Sequence, residues 1–174
     1  MNLHEITLHP ITPSEEPQFR ALLDAHHYLG SLPKIGNTLW YVVTWRGQWV
    51  ALVSFSAAAW KCAARDQWIG WDFRYQFDRL HLVANNSRFL ILPGQHYPNL
   101  ASRILSLCER QLAQDWPNRF GHPLWLLETF VDPRHFHGTN VLLHHLWKLH
   151  QLPGITTGIV AVVVERLPGS KRLR

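Results

Sequence analysis

The chain has 174 residues, 47% of them hydrophobic, which suits one folded domain with a substantial core. Its formal net charge is +5, but basic residues crowd the last nine positions, so the charge alone is weak support for nucleic-acid binding. The longest apolar run, 159–164, is too short to cross a bilayer, and the two cysteines have no partner at metal-ligand spacing. We therefore expect a cytoplasmic protein without a membrane partner: one domain over residues 1–165, then a basic tail over 166–174.

The N-terminal half carries alternating signals for strands and helices. Phe19, Leu22, Leu23 and His26 recur at helical spacing, and two apolar stretches flank the turn residues Arg46-Gly47. In chain order we predict a strand (3–8), a helix (14–30), a hairpin (39–53), a short alanine-rich helix (57–65) and a loop (66–72).

The C-terminal half predicts the order strand, strand, helix, strand, helix, strand. Asn85-Asn86-Ser87 looks like a turn between strands, and Pro98-Asn99 opens a helix that ends at Trp116-Pro117. The predicted strands cover residues 80–84, 88–92, 124–131 and 158–165, and the predicted helices cover 98–117 and 138–152. This order predicts an α/β fold with a mixed central β-sheet and helices packed on both faces, in which residues 88–131 form a parallel crossover unit.

Two carboxylates stand on an otherwise apolar strand, where alternation places Glu128 and Asp132 on one face. One interpretation makes Glu128 a general base with a pKa raised by burial, and Asp132 an acceptor for a substrate amine. The alternative is structural: Asp132 caps a turn, and Glu128 pairs with an arginine such as Arg88.

The first predicted helix ends in His26-His27-Tyr28. His26 belongs to the apolar stripe, whereas His27 and Tyr28 could reach a cleft as proton carriers or act as a structural cap. The histidines after Asp132 match no recognised metal-ligand spacing, so we predict no metal site.

Polar donors follow the predicted turn. Asn85, Asn86 and Arg88 could bind a ligand carbonyl, a base edge or a phosphate, although turn formation explains the asparagines equally well. The next segment, 93–102, leads into a helix whose backbone N–H groups would suit a pyrophosphate, but it contains a single glycine and no nucleotide-binding fingerprint.

Six ordered motifs carry a resemblance to a known family. They are HYLG from His27, FSAAAW from Phe55, ARD through IGW from Ala64, NNSRFLILP from Asn85, PNLAS from Pro98 and LLETFVDP from Leu126. Together they resemble the DruA family of the Druantia anti-phage system, with relatives encoded beside or fused to transposases. The strand and helix order also resembles the GNAT acyltransferase core, which implies acetyl-CoA as the cofactor to test.

On this resemblance the sequence predicts a GNAT-like group-transfer or nucleotide-modifying domain for phage defence or mobile elements. Predicted catalytic residues are His27, Tyr28, Glu128 and Asp132; predicted substrate-binding residues are Asn85, Asn86, Arg88, Trp71 and Thr139; predicted cofactor-binding residues are Gly94, His96, Asn99 and Leu100. The alternatives are a non-catalytic module that binds DNA or RNA in a defence or transposition complex, and a scaffold for other proteins of such a system.

Overall fold

The computed structural model describes residues 1–59, 62–131, 148–151 and 161–166. Its strands are β1 (Ile6–Pro10), β2 (Thr38–Trp45), β3 (Gln48–Ala57), β4 (Val83–Ile91), β5 (Leu126–Val131), β6 (Lys148–Gln151) and β7 (Ala161–Arg166). Its helices are α1 (Glu16–His26), α2 (Ala63–Ile69), α3 (Phe73–Arg79) and α4 (Leu100–Phe120), and short 3₁₀ turns cover Leu3–Glu5 and Leu80–Leu82.

The strands form one mixed sheet in the order β1-β2-β3-β4-β5-β7-β6. Strands β4 and β5 are parallel, and every other neighbouring pair is antiparallel. Because α4 connects the two parallel strands, β4, α4 and β5 form the crossover unit that the sequence predicted.

Helix α4 covers one face of the sheet. Its stripe of Leu100, Ile104, Cys108 and Leu112 packs against inward-facing residues of β2, β3, β4 and β5 in the largest hydrophobic cluster. Each of the four is at most 1% exposed, so burial of this face holds the helix on the sheet.

Helices α1 and α2 lie on the opposite face. Phe19 and Leu23 of α1 pack on Trp40 and Leu52, and the Phe19 and Trp40 rings stack at 4.8 Å. A further cluster beside α2 joins Cys62 and Trp71 to Val83 and Leu126. Helices therefore pack on both faces, as predicted, and the face that carries α1 and α2 is called the α1 face below.

The predicted turn at Asn85-Asn86-Ser87 is wrong, because β4 runs through it without interruption. Its register against β3 shifts between Ser54, which is opposite Arg88, and Phe55, which is opposite Asn86. Ser87 is thus the extra residue of a β-bulge. The bulge brings Asn85 and Arg88 onto the same face of the sheet, although they are three residues apart.

Other boundaries also differ from the predictions. Ala57 ends β3 by pairing with Ala84, so the short helix starts later, at Ala63, and continues through the predicted loop to Ile69. Helix α4 passes Pro117 and ends at Phe120, followed by the left-handed Gly121.

The sequence predicted a last helix over 138–152. Its C-terminal part is wrong, because residues 148–151 form β6, in which Leu149 pairs with Val163 of β7. Residues 138–147 of that prediction lie outside the described residues. Arg166, which composition assigned to the tail, lies in β7 and pairs with Leu126 of β5. None of the described helices is both long and apolar enough to cross a membrane.

Candidate functional site

An opening at one end of β4 and β5 marks the candidate site. The last parallel pair in the described part of these strands is Asn86 with Thr129, yet β4 continues to Ile91 along β3, and β5 continues to Val131. The two strands therefore separate just past the bulge. Clefts at the carboxyl ends of parallel strands are common ligand sites in α/β proteins.

Arg88 joins this end of β4 to the loop that follows α1. Its guanidinium donates to the carbonyl oxygens of Gly30 (Nε, 2.7 Å), Leu29 (Nη2, 3.2 Å) and Ser87 (Nη1, 2.6 Å). The side chain is 8% exposed, and burial lowers its pKa. Gly30 fits the loop because its φ of +63° is a conformation that favours glycine. Arg88 thus fixes the chain that carries His27 and Tyr28 against the sheet.

His27 lies in this loop as a neutral imidazole. Its Nδ1 accepts a hydrogen bond from the Leu29 backbone N–H at 3.2 Å, so the neutral ring carries its proton on Nε2. Burial, and then the positive charge of Arg88, lower the pKa of His27 to about 4. The ring stacks on Tyr28, whose side chain is 47% exposed. At neutral pH, His27 is therefore a hydrogen-bond donor rather than a proton acceptor.

Side chains close the bulge with hydrogen bonds. Asn86 Nδ2 donates to the carbonyl oxygens of Ser54 (3.1 Å) and Arg88 (3.2 Å). The Ser87 hydroxyl lies 2.9 Å from that of Ser54 and 3.1 Å from that of Ser56. The amide N–H groups of Asn86 serve the backbone here, which favours the structural interpretation of this residue.

A buried ion cluster lies on the same face, between α2 and β5. Arg65 donates to Asp66 Oδ1 (Nε, 2.9 Å) and to both carboxylate oxygens of Glu128 (Nη1, 3.1 and 3.4 Å). The three residues are only 1%, 3% and 1% exposed. Burial raises the pKa of Glu128, and the charge of Arg65 only partly offsets this effect. Glu128 therefore pairs with an arginine, but the partner is Arg65 and not Arg88.

In the part of the chain that the structure describes, two polar atoms beside the cluster are buried without a hydrogen-bond partner. They are the side-chain oxygen of Asn85, which is opposite Glu128 in the parallel ladder, and the indole Nε1 of Trp71. Trp71 is 7% exposed and packs in the cluster that contains Leu126, two residues before Glu128. An unpaired buried donor and an unpaired buried acceptor are costly unless a ligand or water completes them.

Three of the predicted cofactor-binding residues lie in the connection from β4 to α4, and the fourth, Leu100, is the first residue of α4. Gly94 and Asn99 adopt left-handed backbone conformations, with φ of +80° and +62°, and Asn99 forms no side-chain cap on α4. His96 and Asn99 are exposed. Leu100 is fully buried, and its N–H donates to the Tyr97 carbonyl oxygen at 3.2 Å, so it belongs to the core.

Asp132 and Thr139 lie outside the described residues. Sequence reasoning did not assign a role to Arg65 or Asp66, although both belong to one of the six motifs. The signal that could have found them is the pair of opposite charges in an otherwise apolar segment. Among the described residues, no group of three His, Cys, Asp or Glu side chains is placed to hold a metal ion.

The family model described as "Druantia protein DruA" matches residues 4–158. The chain belongs to the DruA family. Four of its six motifs meet on the α1 face: Arg88 of NNSRFLILP binds the HYLG loop, and Arg65 of the ARD segment binds Glu128 of LLETFVDP. No curated protein matches this DruA-family chain significantly.

Solved structures of GNAT acetyltransferases share the fold of the DruA-family chain. The GNAT domain of S. lividans PAT has a TM-score of 0.58 at 12% identity, covering 92% of this chain and 89% of that one. Aminoglycoside acetyltransferase AAC(6')-Ib with coenzyme A and kanamycin has a TM-score of 0.64 at 11% identity, covering 92% of this chain and 94% of that one. The ribosomal-protein-S18-alanine N-acetyltransferase from Escherichia coli has a TM-score of 0.56 at 11% identity, covering 95% of each chain. The chain is thus a defence-related domain with a GNAT-like core.

Proposed function

We propose that this DruA-family domain is a group-transfer enzyme that passes an activated acyl group to a substrate at the opening between β4 and β5. The observation that carries the proposal is the end of the parallel ladder at Asn86 and Thr129, beside the loop that Arg88 holds. A separated pair of strands gives a reacting group access to the interior of the sheet. The GNAT acetyltransferases of the same fold, one of them with coenzyme A bound, support this chemistry.

The start of α4 fits the phosphates of coenzyme A. Asn99 leaves the N-terminus of a 21-residue helix without a side-chain cap, so backbone N–H groups and the positive end of the helix dipole favour an anion there. The connection is exposed at Gly94, His96 and Asn99, and the side chain of Leu100 is turned into the core. The coenzyme would supply the acyl group as a thioester, held at Asn99 and the first turn of α4.

The substrate would lie on the α1 face. We assign the unpaired oxygen of Asn85 to an N–H group of the substrate, and the unpaired indole N–H of Trp71 to a substrate acceptor. His27 Nε2–H is a donor for a substrate oxygen, because its Nδ1 is already occupied. Arg88 would orient the substrate at the bulge, whereas Asn86 holds the backbone of the bulge.

In the transfer step a substrate amine forms a bond to the acyl carbon, and the carbon–sulfur bond breaks. The amine loses a proton, which we assign to the carboxylate of Asp132, directly after β5 in the sequence. The departing thiolate gains a proton, and we assign its donor as Tyr28, whose side chain is 47% exposed. Glu128 is assigned as an anchor for Arg65 rather than as the base, since both of its oxygens accept from the guanidinium.

Coenzyme A binding tests the proposal, with two isosteric substitutions at opposite ends of α4. Asn99→Asp places a negative charge at the proposed phosphate site, and Asn118→Asp places the same charge on the last turn, where the side chain is also exposed. We expect isothermal titration calorimetry to show about tenfold weaker binding for Asn99→Asp and no change for Asn118→Asp. Equal affinities for the two variants, or no binding to the parent protein at millimolar coenzyme, would contradict the proposal.

The alternative function is a non-catalytic module that binds DNA or RNA, together with other defence or transposition proteins. One surface feature favours it: Tyr75 on α3 is 40% exposed, and the Arg79 guanidinium lies 4.2 Å from its ring centroid. A cation above an exposed ring is suited to stacking on unpaired bases. Fluorescence anisotropy with single-stranded and duplex DNA tests this alternative, which requires Tyr75→Ala to weaken binding to the single strand.

A further inference from the structure

Arg88 is a buried cation that faces no carboxylate among the described residues. It is 8% exposed, and within the described ranges its partners are the three carbonyl oxygens of Leu29, Gly30 and Ser87. Carbonyl groups satisfy hydrogen bonds but carry no net charge. Arg65, the other buried arginine of this face, contacts two carboxylates instead. Because buried charges are normally paired with an opposite charge, Arg88 differs from Arg65 in a way that points to a ligand.

The surroundings of Arg88 also favour an anion. A guanidinium has five N–H groups, and three of those on Arg88 are used on carbonyls, which leaves two for a ligand. His27, close enough for its pKa to respond to Arg88, is neutral with its proton on Nε2, and it can add a third donor. The Tyr28 ring stacks on His27. Donors and a positive charge therefore meet at the open end of β4, on the side where the parallel ladder has ended.

We propose that Arg88 and His27 bind an oxyanion carried by the substrate, either a phosphate or a carboxylate group, at the opening between β4 and β5. The oxyanion supplies the negative charge that the described part of the chain does not place beside Arg88. The guanidinium can bind two oxygens at once through its remaining N–H groups. The substrate class that follows is an anionic molecule that also presents an N–H group to Asn85.

This inference takes the location of the substrate site from the proposed function. Its test measures binding without turnover, so the two can fail separately. A protein that binds coenzyme A but no oxyanion at Arg88 keeps the proposed function and loses the inference. A protein that binds the oxyanion but not coenzyme A keeps the inference and loses the proposed function.

The experiment follows the His27 ring by NMR while sodium phosphate or sodium acetate is added at constant ionic strength. Part of the depression of the His27 pKa comes from the charge of Arg88, so a bound oxyanion should raise the pKa of His27 from about 4 toward its ordinary value of 6.5. We expect a saturable shift with at least one of the two anions. The one with the higher affinity identifies the group that the substrate carries.

Two variants locate the effect. Arg88→Lys retains a positive charge but not the planar set of donors, and it should weaken oxyanion binding by about tenfold. Arg46→Gln removes an arginine with a 68% exposed side chain at the turn between β2 and β3, and it should leave the affinity unchanged. If Arg88→Lys does not fold, the titration of the parent protein still decides. A His27 pKa that fails to move with both anions, or an equal loss in both variants, would overturn the inference.

Discussion

Replacing Arg65 by methionine and replacing Glu128 by glutamine should affect stability very unequally. Within the described residues, the buried cluster contains one guanidinium and two carboxylates, each at most 3% exposed. Removing the Glu128 charge leaves a balanced pair of Arg65 and Asp66, 2.9 Å apart. Removing the Arg65 charge leaves two carboxylates side by side without the cation that both contact.

These two arrangements set the expected magnitudes. Removing one partner from a buried ion pair, so that the other charge is left uncompensated, costs about 3–5 kcal/mol, and we expect Arg65→Met to fall in this range. Glutamine keeps the shape of Glu128 and still accepts from Arg65, so Glu128→Gln should change the free energy of unfolding by no more than about 1 kcal/mol.

Urea unfolding monitored by circular dichroism between pH 4 and 8 separates the two effects. Burial raises the pKa of Glu128 above 4.5, so its contribution to stability is fully present below pH 4.5 and is lost as the pH rises through the folded-state pKa. The parent and Glu128→Gln should therefore have equal stability near pH 4, and at pH 7 the glutamine variant should equal or exceed the parent. Arg65→Met should regain stability as the pH falls and the carboxylates become protonated. Equal losses in the two variants at pH 7 would refute this charge balance.

Three further predictions concern single residues. His27→Gln should lessen the loss of stability as the pH falls from 6.5 to 4, because folding holds the His27 pKa at about 4 and protonation favours the unfolded chain; urea midpoints across this range measure the difference. Gly30→Ala should cost about 1–2 kcal/mol and lower Tm, since φ is +63° and the added Cβ would lie 3.0 Å from Asp24 Oδ1; a normal Tm would contradict the strain. Leu112→Ala should cost about 2–5 kcal/mol in urea unfolding, because this fully buried side chain fills the core under α4, and a smaller loss would indicate collapse around it.

The sequence predicted the elements whose apolar pattern decides their structure. The hairpin of β2 and β3, the long helix α4 and the crossover from β4 to β5 are all confirmed. In each, alternation or helical spacing continues over enough residues that burial of one face determines the element. The bulge in β4 was misread as a turn because Asn86 and Ser87 have the same local chemistry in both. Here their side chains bond to the backbone and hydroxyl groups of β3, which only the folded sheet supplies.

The candidate site was partly predictable. The acid on β5, the histidine after α1 and Arg88 were all named from local sequence, and the structure places these residues on one face around the opening. Their partners were not predictable, because Arg65 contacts Glu128 across 63 positions and Arg88 contacts Gly30 across 58. Local patterns indicate which residues are unusual for their element, whereas only the tertiary fold decides which of them meet.

The ion pair between α2 and β5 also has a consequence for sequence variation among relatives. Arg65 cannot be exchanged alone for an apolar residue without burying the uncompensated carboxylates of Asp66 and Glu128, whereas exchange of Glu128 leaves Arg65 paired with Asp66. Relatives that lose Arg65 are therefore expected to lose Asp66 and Glu128 as well in the same lineage, with apolar residues of similar volume filling the three positions. Such joint replacement would make the segment between β3 and β4 vary together with β5 among relatives.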